Sequence, residues 1–285
     1  MKIILSRKGF DSSAGGVANP ILPDGSMVSL PIPDPEAPYR YRQIKHNGHG
    51  LGSLVRSLTR GRLNGWEKAH LDPDLREDAV ARQPGWKPLF GQAAAAQGHL
   101  KGMDIAPGDL FLYFGWFRQT CYANKRLAFQ KDASDQHAFF GWLQIGEIVD
   151  LNQQEPESWM KQHPHCFGNR GKNNVLYVAA DQLDLPGMDC ALPGAGTFDA
   201  YHPDFRLTAP GYTRRYWKLP KWFHPENRAS CLTYHYRPDW WQQEEDHVLL
   251  KSAARGQDFV LNCDHYPEAI GWAKSLVETG ATDPL

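Results

Sequence analysis

The sequence predicts an α+β fold, a single large domain around a mainly antiparallel sheet, with a barrel-like sheet as one option and helices at its periphery. Many short segments rich in β-branched and aromatic residues are separated by turn residues, and patterns with helical spacing are few. The 285 residues are enough to bury a sizeable core, and no internal repeat divides them. We therefore predict one domain over residues 1–285.

The first seventy residues predict strands, a turn and a partly helical stretch. Residues 2–5 predict a strand, and residues 19–22 and 27–32 predict a hairpin around Pro23-Asp24-Gly25, where proline presets φ and glycine supplies a positive φ. Residues 39–69 are predicted to be helical in part, with a break at Gly48-His49-Gly50. Residues 71–75 predict a loop, because Pro73 disfavours the helical region for Asp72.

The middle of the chain has the clearest strand pattern. Residues 109–118 and 139–150 are rich in β-formers and predict an antiparallel pair, and residues 174–179 predict a third strand. Residues 92–97 predict one or two helical turns, and residues 158–161 predict the start of a short helix.

The last third predicts short strands and a closing helix. Residues 205–208, 215–219 and 257–261 are the strand candidates, and residues 229–235 fit either a strand or a short helix. Residues 267–279 predict an amphipathic helix, because Ala269, Trp272, Ala273, Leu276 and Val277 recur at helical spacing.

Composition narrows the location of the protein. No window approaches 18 apolar residues, and the N-terminal apolar run is too short for a signal peptide, so we expect no membrane span. The five cysteines are scattered and odd in number, which disfavours a disulfide framework. We therefore expect a cytoplasmic protein.

Charge is uneven although the formal net charge is only −1. Residues 39–68 carry seven Lys/Arg and one acid, and residues 201–230 carry six Lys/Arg and two acids. Both stretches also hold aromatic residues and histidines. They fit either a local surface for a nucleic acid or nucleotide, or an ordinary solvated face.

The loop after the first strand combines groups that suit an anion. Arg7 can hold a phosphate through two N–H groups with Lys8 as a second cation, and Asp11 can act as a general base or hold a ribose hydroxyl. Hydroxyls and glycines that allow close backbone approach follow at Ser12, Ser13, Gly15 and Gly16. The alternative is that Asp11 pairs with Arg7 and only organises the loop. Neither a Walker A loop nor G-x-G-x-x-G is present, so ATP or NAD is not predicted.

Two further clusters carry chemistry. In His70-Leu71-Asp72-Pro73-Asp74, the imidazole and carboxylates can supply acid/base groups or bind a divalent metal, with His70 and Asp72 as catalytic candidates. The alternative for Asp74 is a helix cap before Leu75. His163-Pro164-His165-Cys166 fits zinc ligands, but no second pair lies at a familiar spacing, so no metal site is predicted.

Polar residues on the strands add binding candidates. Arg206 and Lys218 lie in a cationic run with Trp217 and Trp222 that fits a nucleic-acid channel or a plain surface. Arg118 ends one central strand and Gln144 lies on the facing one, so the two fit either a reader of a base edge or a cross-strand polar pair.

The chain resembles the nucleotide modification associated domain 3 family of bacteria and phages. The resemblance rests on SRKGFDSSAGGVANPILPDG, HLDPDL, GDLFLYFGWFR, FFGWLQIGEI, FRLT and GQDFV, and covers nearly the whole length. It implies an enzyme acting on a modified base or nucleotide, names no cofactor, and points to candidates within the matching segments: Arg7, Lys8, Asp11, Asp72 and Arg118.

PGDLFLYF followed by FFGWLQIGEIVD, about forty residues within the range 105–180, is also similar to the strand pattern of PUA-like domains, including the EVE and ASCH groups. This second, local resemblance implies a module that binds RNA or modified bases.

These observations predict an enzyme of DNA base or nucleotide modification, of transferase type, that uses Asp11 or Asp72 as acid/base. The expected partners are DNA or a nucleotide, and other base-modification enzymes; the cofactor is unknown. The alternative is a non-catalytic PUA-like reader of modified bases.

Overall fold

A nine-stranded sheet forms the centre of the computed structural model, which describes residues 1–188 and 191–281. Within these ranges there are three α-helices: α1 (Gly52–Leu58), α2 (Ala94–Gly102) and α3 (Glu268–Ala281). The strands are β1 (Lys2–Arg7), β2 (Asn19–Ile21), β3 (Ile32–Pro33), β4 (Tyr39–Arg40), β5 (Lys45–His46), β6 (His49–Gly50), β7 (Lys68–His70), β8 (Leu89–Gln92), β9 (Leu110–Ala123), β10 (Arg126–Phe129), β11 (Gln136–Asp150), β12 (Val175–Ala179), β13 (Ala195–Thr197), β14 (Tyr216–Pro220), β15 (Trp241–Gln243), β16 (His247–Lys251) and β17 (Asp258–Asn262).

The main sheet runs in the order β17-β1-β9-β11-β12-β8, with β2 and β10 also paired to β9 and β13 to β11. Only β1 and β2 pair with β9 in parallel; the other pairs are antiparallel. The predicted α+β class and the mainly antiparallel sheet are therefore confirmed. The sheet is not closed into a barrel by backbone pairing, but its terminal strands meet where Gln92 Nε2 of β8 donates to Asp258 Oδ2 of β17 at 2.7 Å.

A cluster of fully buried aromatic side chains packs in the core of the main sheet. The ring centroids of Phe90 and Phe111 each lie 5.0–5.9 Å from those of Tyr113, Tyr177 and of one another. Residues 110–114 are all fully buried, so this part of β9 is covered on both faces and its sequence is a continuous apolar run instead of an alternating one.

A smaller lobe packs against the opening loop. Strands β3, β7 and β4 form its sheet, β5 and β6 form a hairpin, and α1 covers a second core that includes Tyr41, Leu51, Val55 and Leu58. The partly helical stretch expected over residues 39–69 is thus confined to the seven residues of α1, and the predicted break at Gly48 lies in the β5–β6 turn with φ of +76°.

The predicted elements differ from the observed structure most where the strands are short. The central antiparallel pair, the third strand and the closing helix are confirmed as β9, β11, β12 and α3. The hairpin around Pro23-Asp24-Gly25 keeps its turn, but β2 pairs with β9, and only one bridge joins Ile21 to Met27. The strand expected at residues 205–208 is replaced by a short 3₁₀ turn, Pro203–Phe205, and isolated bridges.

Two features bear on location and covalent structure. Among residues 1–188 and 191–281, none of the helices has the length and apolar character needed to cross a membrane. Cys121, Cys166, Cys231 and Cys263 are free thiols, and Cys190 lies outside the described residues.

A candidate metal centre at Asp72

The loop after β7 runs along the free edge of β8 and fixes Asp72. Gly91 N donates to Asp72 Oδ1 at 2.8 Å, and Asp74 pairs with Leu89 through two backbone hydrogen bonds. Asp74 caps no helix; it accepts two hydrogen bonds of 2.6 Å from Arg82 instead. The edge strand therefore holds the Asp72 carboxylate in place at the end of the main sheet.

Two imidazoles converge on this carboxylate. His70 Nε2 lies 3.7 Å and His165 Nε2 lies 3.8 Å from Asp72 Oδ2, and the three potential ligand atoms all lie within 4.8 Å of one another. The side chains of His70, Asp72 and His165 are only 11%, 6% and 7% exposed. We call these three residues the Asp72 centre.

A hydrogen bond on the far nitrogen orients each imidazole. His70 Nδ1 lies 2.8 Å from Asp34 Oδ2, which also accepts from Arg170 Nη2 at 2.8 Å. His165 Nδ1 lies 2.6 Å from Asn174 Oδ1, and Asn174 Nδ2 donates to His165 O, which fixes the amide orientation. Because both Nδ1 atoms face oxygen acceptors, they carry protons, and Nε2 is the atom that can offer a lone pair to a metal.

His163 completes the cluster with the opposite tautomer. Its Nδ1 accepts from His165 N at 3.3 Å, so its proton lies on Nε2. That Nε2 is buried and lies 3.3 Å from Asp72 Oδ1, its nearest acceptor, although the contact lacks the geometry of a regular hydrogen bond. His163 is therefore suited to donate a proton or a hydrogen bond beside the centre, not to ligate a metal.

The charges at the centre favour an ionised carboxylate and a neutral imidazole. Burial opposes ionisation of Asp72, but the imidazoles of His163 and His70 outweigh it and hold the pKa of Asp72 well below its usual range. Burial lowers the pKa of His165 to about 3 in spite of Asp72. Burial also lowers the pKa of His70, but hydrogen bonds to Asp34 and Asp72 reverse this and raise it.

Gly91 allows the close approach of the His165 ring. A Cβ atom at this position would overlap the imidazole carbons of His165. The absence of a side chain thus lets one residue of β8 support two of the three members of the centre, since its N–H also binds Asp72.

Two imidazole nitrogens and one carboxylate oxygen form a common donor set for divalent transition metals. Such a set leaves coordination positions open for water and substrate. Asp34 and Asn174 supply the second hydrogen bonds that usually accompany ligating histidines. The centre can therefore hold a metal ion and expose it to a ligand.

The structure joins two clusters that the sequence shows only separately. His70 and Asp72 come from one segment and His165 from another, 93 residues later. Asp34, Arg170 and Asn174 were not candidates, because nothing in their local sequence distinguishes an orienting carboxylate or amide from any other. Cys166 does not join the centre; its Sγ contacts Met160 O.

The opening loop is organised by Asp11. Asp11 Oδ1 accepts from Ser13 N, Ser13 Oγ and Ala14 N, each at 2.7 Å. Asp11 forms no ion pair with Arg7 among the described residues, and Arg7 Nη2 donates to Gly256 O at 2.9 Å. The loop remains exposed at Ser12, Ser13 and Gly16.

The cation expected to reach a phosphate beside this loop points inward. Lys8 Nζ lies 3.6 Å from Asp258 Oδ1 and 4.3 Å from the Phe90 ring centroid. Gly15, with φ of +82°, lies where a Cβ atom would overlap the Phe10 ring. Lys8 and Gly15 therefore have structural roles whether or not the loop binds an anion.

Arg118 and Gln144 do not lie side by side, because the register places Gln144 opposite Leu110, far along β9 from Arg118. Gln144 is buried and bonds to Gly108 O, Asp184 O and Asp184 N, whereas Arg118 donates to Gln130 O and Lys131 O. The prediction that Arg118 and Gln144 together read a base edge is therefore wrong.

Arg206 and Lys218 do share a site away from the Asp72 centre. Both line a groove of about 680 Å³ together with Tyr201, His247 and Trp272. Lys218 is paired with Asp246 at 3.3 Å, so the groove carries both signs of charge.

Comparisons with known proteins give one match. No curated protein and no solved structure matches the chain, so the PUA-like interpretation of residues 105–180 stays a prediction. The pattern of the family described as nucleotide modification associated domain 3 matches residues 2–262, a range that contains the Asp72 centre and every residue that orients it. The chain belongs to the nucleotide modification associated domain 3 family.

Proposed function

We propose that this protein is a metal-dependent enzyme that modifies a base in DNA, or a nucleotide, at the Asp72 centre. The family is associated with nucleotide modification, which supports the substrate class. The donor set of His70, Asp72 and His165 supports the dependence on metal.

The observation that carries the proposal is the paired orientation of the two imidazoles. A histidine placed only for packing needs no acceptor on Nδ1 and no carboxylate at Nε2. Here both histidines have both, and both Nε2 atoms face the same oxygen of Asp72. Two imidazoles that are oriented independently and face one carboxylate oxygen are the arrangement expected when both imidazoles and the carboxylate hold one ion.

In this proposal Asp72 is a ligand, not a general base. A carboxylate with a pKa far below neutral accepts a proton poorly, but it is an effective anionic ligand. His163, with its proton on Nε2 and only the 3.3 Å contact to Asp72 Oδ1, is the group that would donate to a bound ligand. The bound metal would supply Lewis acidity at its open positions.

Metal content tests the first half of the proposal. The purified protein would be loaded separately with Zn²⁺, Fe²⁺ under anaerobic conditions, and Mn²⁺, dialysed, and analysed by mass spectrometry of the metal. We expect about one ion per chain for at least one metal, and less than about a tenth of that in Asp72→Asn and His165→Ala. His202→Ala is the matched control, because His202 is exposed and its nearest charged partner is only Asp204.

Nucleoside mass spectrometry tests the second half. Cellular DNA and nucleotide pools would be compared between cells with the wild-type protein and cells with Asp72→Asn. We expect a modified nucleoside that disappears in the variant and persists in His202→Ala. An unchanged modification in Asp72→Asn, or a wild-type protein that retains none of the three metals, would contradict the proposal.

A further inference from the structure

The smaller lobe carries a surface of cations that lack acidic partners. Among residues 1–188 and 191–281, the seven cations of this lobe form no ion pair with a carboxylate: Arg40, Arg42, Lys45, Arg56, Arg60, Arg62 and Lys68. The one acid in the same stretch, Glu67, accepts from Asn64 N and Nδ2. We call these seven residues the basic surface.

Some exposed cations elsewhere are paired, and the basic surface is distinctive because its seven cations share their stretch of chain with a single acid. Lys87 contacts Asp181 at 2.7 Å and Arg237 contacts Asp239 at 2.9 Å. Seven unpaired positive charges on one small lobe repel one another, and an anion with several charges would relieve that repulsion.

An exposed tryptophan lies within the basic surface. The Trp66 side chain is 60% exposed, and the Arg42 guanidinium carbon lies 3.5 Å from its ring centroid. Arg40 Nη1 donates to Trp66 O, so a second arginine is held at the same residue. An aromatic ring with an adjacent guanidinium is a platform on which a nucleobase can stack.

The platform lies beside the Asp72 centre. Trp66, Arg40 and Lys68 line a pocket of about 370 Å³, and Asp34 lines it too. Asp34 is the residue whose Oδ2 holds His70 Nδ1 at 2.8 Å. This pocket, which Glu67 also lines, lies behind the His70 imidazole on its Nδ1 side. The pocket that reaches Asp72 itself is lined by Lys45 of the basic surface and by His46.

The basic surface also meets the opening loop. Arg62 Nη2 donates to Gly15 O at 3.3 Å. The exposed hydroxyl of Ser12 thus lies near the edge of the same surface, where it can contact a phosphate, whereas Ser13 Oγ donates to Asp11 Oδ1.

We propose that the Trp66–Arg42 platform and the basic surface bind an unpaired strand of nucleic acid and lead it to the Asp72 centre. This rests on the proposed function and narrows its substrate from a free nucleotide to a strand. Cations without acidic partners suit consecutive phosphates, and an exposed aromatic face suits a base that is not already stacked in a duplex. With a net charge of −1 for the whole chain, the attraction is local to this lobe.

Fluorescence anisotropy on the metal-free protein tests binding separately from catalysis. The probe is a labelled 20-nucleotide DNA strand, compared with the same sequence as RNA, as duplex DNA, and with a mononucleotide. We expect the single strand to bind at least tenfold more tightly than the duplex or the mononucleotide, and the tighter of DNA and RNA identifies the natural strand. Retained binding in Asp72→Asn keeps this result independent of the metal centre.

Variants assign the binding to the platform. Trp66→Ala and Arg42→Ala should each weaken strand binding by about tenfold, whereas Trp66→Phe should retain most of it. Tyr236 and Arg237, an exposed aromatic residue and an arginine next to each other outside the basic surface, provide matched controls. Tyr236→Ala and Arg237→Ala should leave the affinity unchanged. Replacing Arg56 and Arg60 by Ala should reduce the dependence of strand affinity on salt. The slope of log affinity against log salt concentration should become shallower by about 0.7 for each phosphate contact that is lost.

Three results would overturn the inference. One is equal affinity for single strand and duplex, and another is unchanged affinity in both Trp66→Ala and Arg42→Ala with folding confirmed by circular dichroism. The third is binding of polyglutamate as tight as that of the strand, which would assign the surface to an acidic protein partner.

Discussion

Gln92 and Asp258 are 166 residues apart in sequence, and their side chains join the two terminal strands of the main sheet through a hydrogen bond of 2.7 Å. Asp258 also accepts from Ser6 Oγ at 2.6 Å and lies 3.6 Å from Lys8 Nζ. A single buried carboxylate thus connects β1, β8 and β17. The same strand β8 holds Asp72 through the N–H of Gly91, so the closure of the sheet and the candidate centre share one element.

Loss of Asp258 should destabilise the protein strongly. Asp258→Ala would leave the largely buried Lys8 ammonium, Ser6 and Gln92 without their partner, so we expect the free energy of unfolding to fall by about 3 kcal/mol. Gln92→Ala should cost about 1 kcal/mol. Urea unfolding of both variants and the double variant measures this. Because the two residues share a bond, a double variant whose loss equals the sum of the single losses would contradict their coupling.

A methyl group at residue 91 should displace His165. Gly91→Ala places a Cβ atom inside the His165 ring position, so we expect metal affinity to fall by about 10- to 100-fold. Gly98→Ala is the matched control, because Gly98 lies in α2 and a Cβ atom there meets only Asn173 Nδ2 at 3.9 Å. Isothermal titration with the metal that the wild-type protein retains separates the two. Equal affinities in both variants would show that His165 is not a ligand.

Removal of the carboxylate behind His70 should weaken the centre without removing a ligand. Asp34→Ala deletes the acceptor of His70 Nδ1 and of Arg170, so the imidazole loses its fixed orientation. We expect a loss of metal affinity of about tenfold or more with near-normal stoichiometry at saturating metal. Glu36→Ala, two residues away and exposed, should bind metal as the wild-type protein does. A stoichiometry of zero in Asp34→Ala would mean that Asp34 itself is a ligand.

Stability should fall in mild acid because of buried neutral histidines. Burial lowers the pKa of His235 to about 4 and that of His137 to about 3. In mild acid the two imidazoles therefore bind protons in the unfolded chain but stay neutral in the folded chain. Their stabilising contribution is complete above pH 6.5 and is lost as the pH falls towards these values, at up to about 1.4 kcal/mol per pH unit for each group.

Urea unfolding at pH 7, 6 and 5 checks this dependence. In His235→Gln the free energy of unfolding should depend less steeply on pH, by the equivalent of about one bound proton. The variant also loses the hydrogen bond from Ala253 N. His202→Gln changes an exposed imidazole with no burial and should keep the wild-type slope. An unaltered slope in His235→Gln would mean that His235 does not titrate on unfolding in this range.

Local sequence was sufficient for the central strands and the closing helix. Residues 109–118 and 139–150 contain runs of β-formers, and α3 has its apolar residues at helical spacing, so neighbours within a few positions determine these structures. The same reasoning found the acid and imidazole at His70 and Asp72 and the pair at His163 and His165. In each case the relevant information lies within a few consecutive residues.

Only the tertiary structure decided which of these groups work together. The Asp72 centre exists because the loop after β7 lies along β8 and the segment that carries His165 packs over Gly91. Both placements depend on long-range strand pairing, which cannot be read from the spacing of residues along the chain. The same pairing separated Arg118 from Gln144 and turned Lys8 inward to Asp258. The sequence alone determined which chemical groups are available, because side-chain chemistry is local. The geometry that can hold a metal was decided by the fold, because ligand atoms must meet within a few ångströms in space, whatever their separation along the chain.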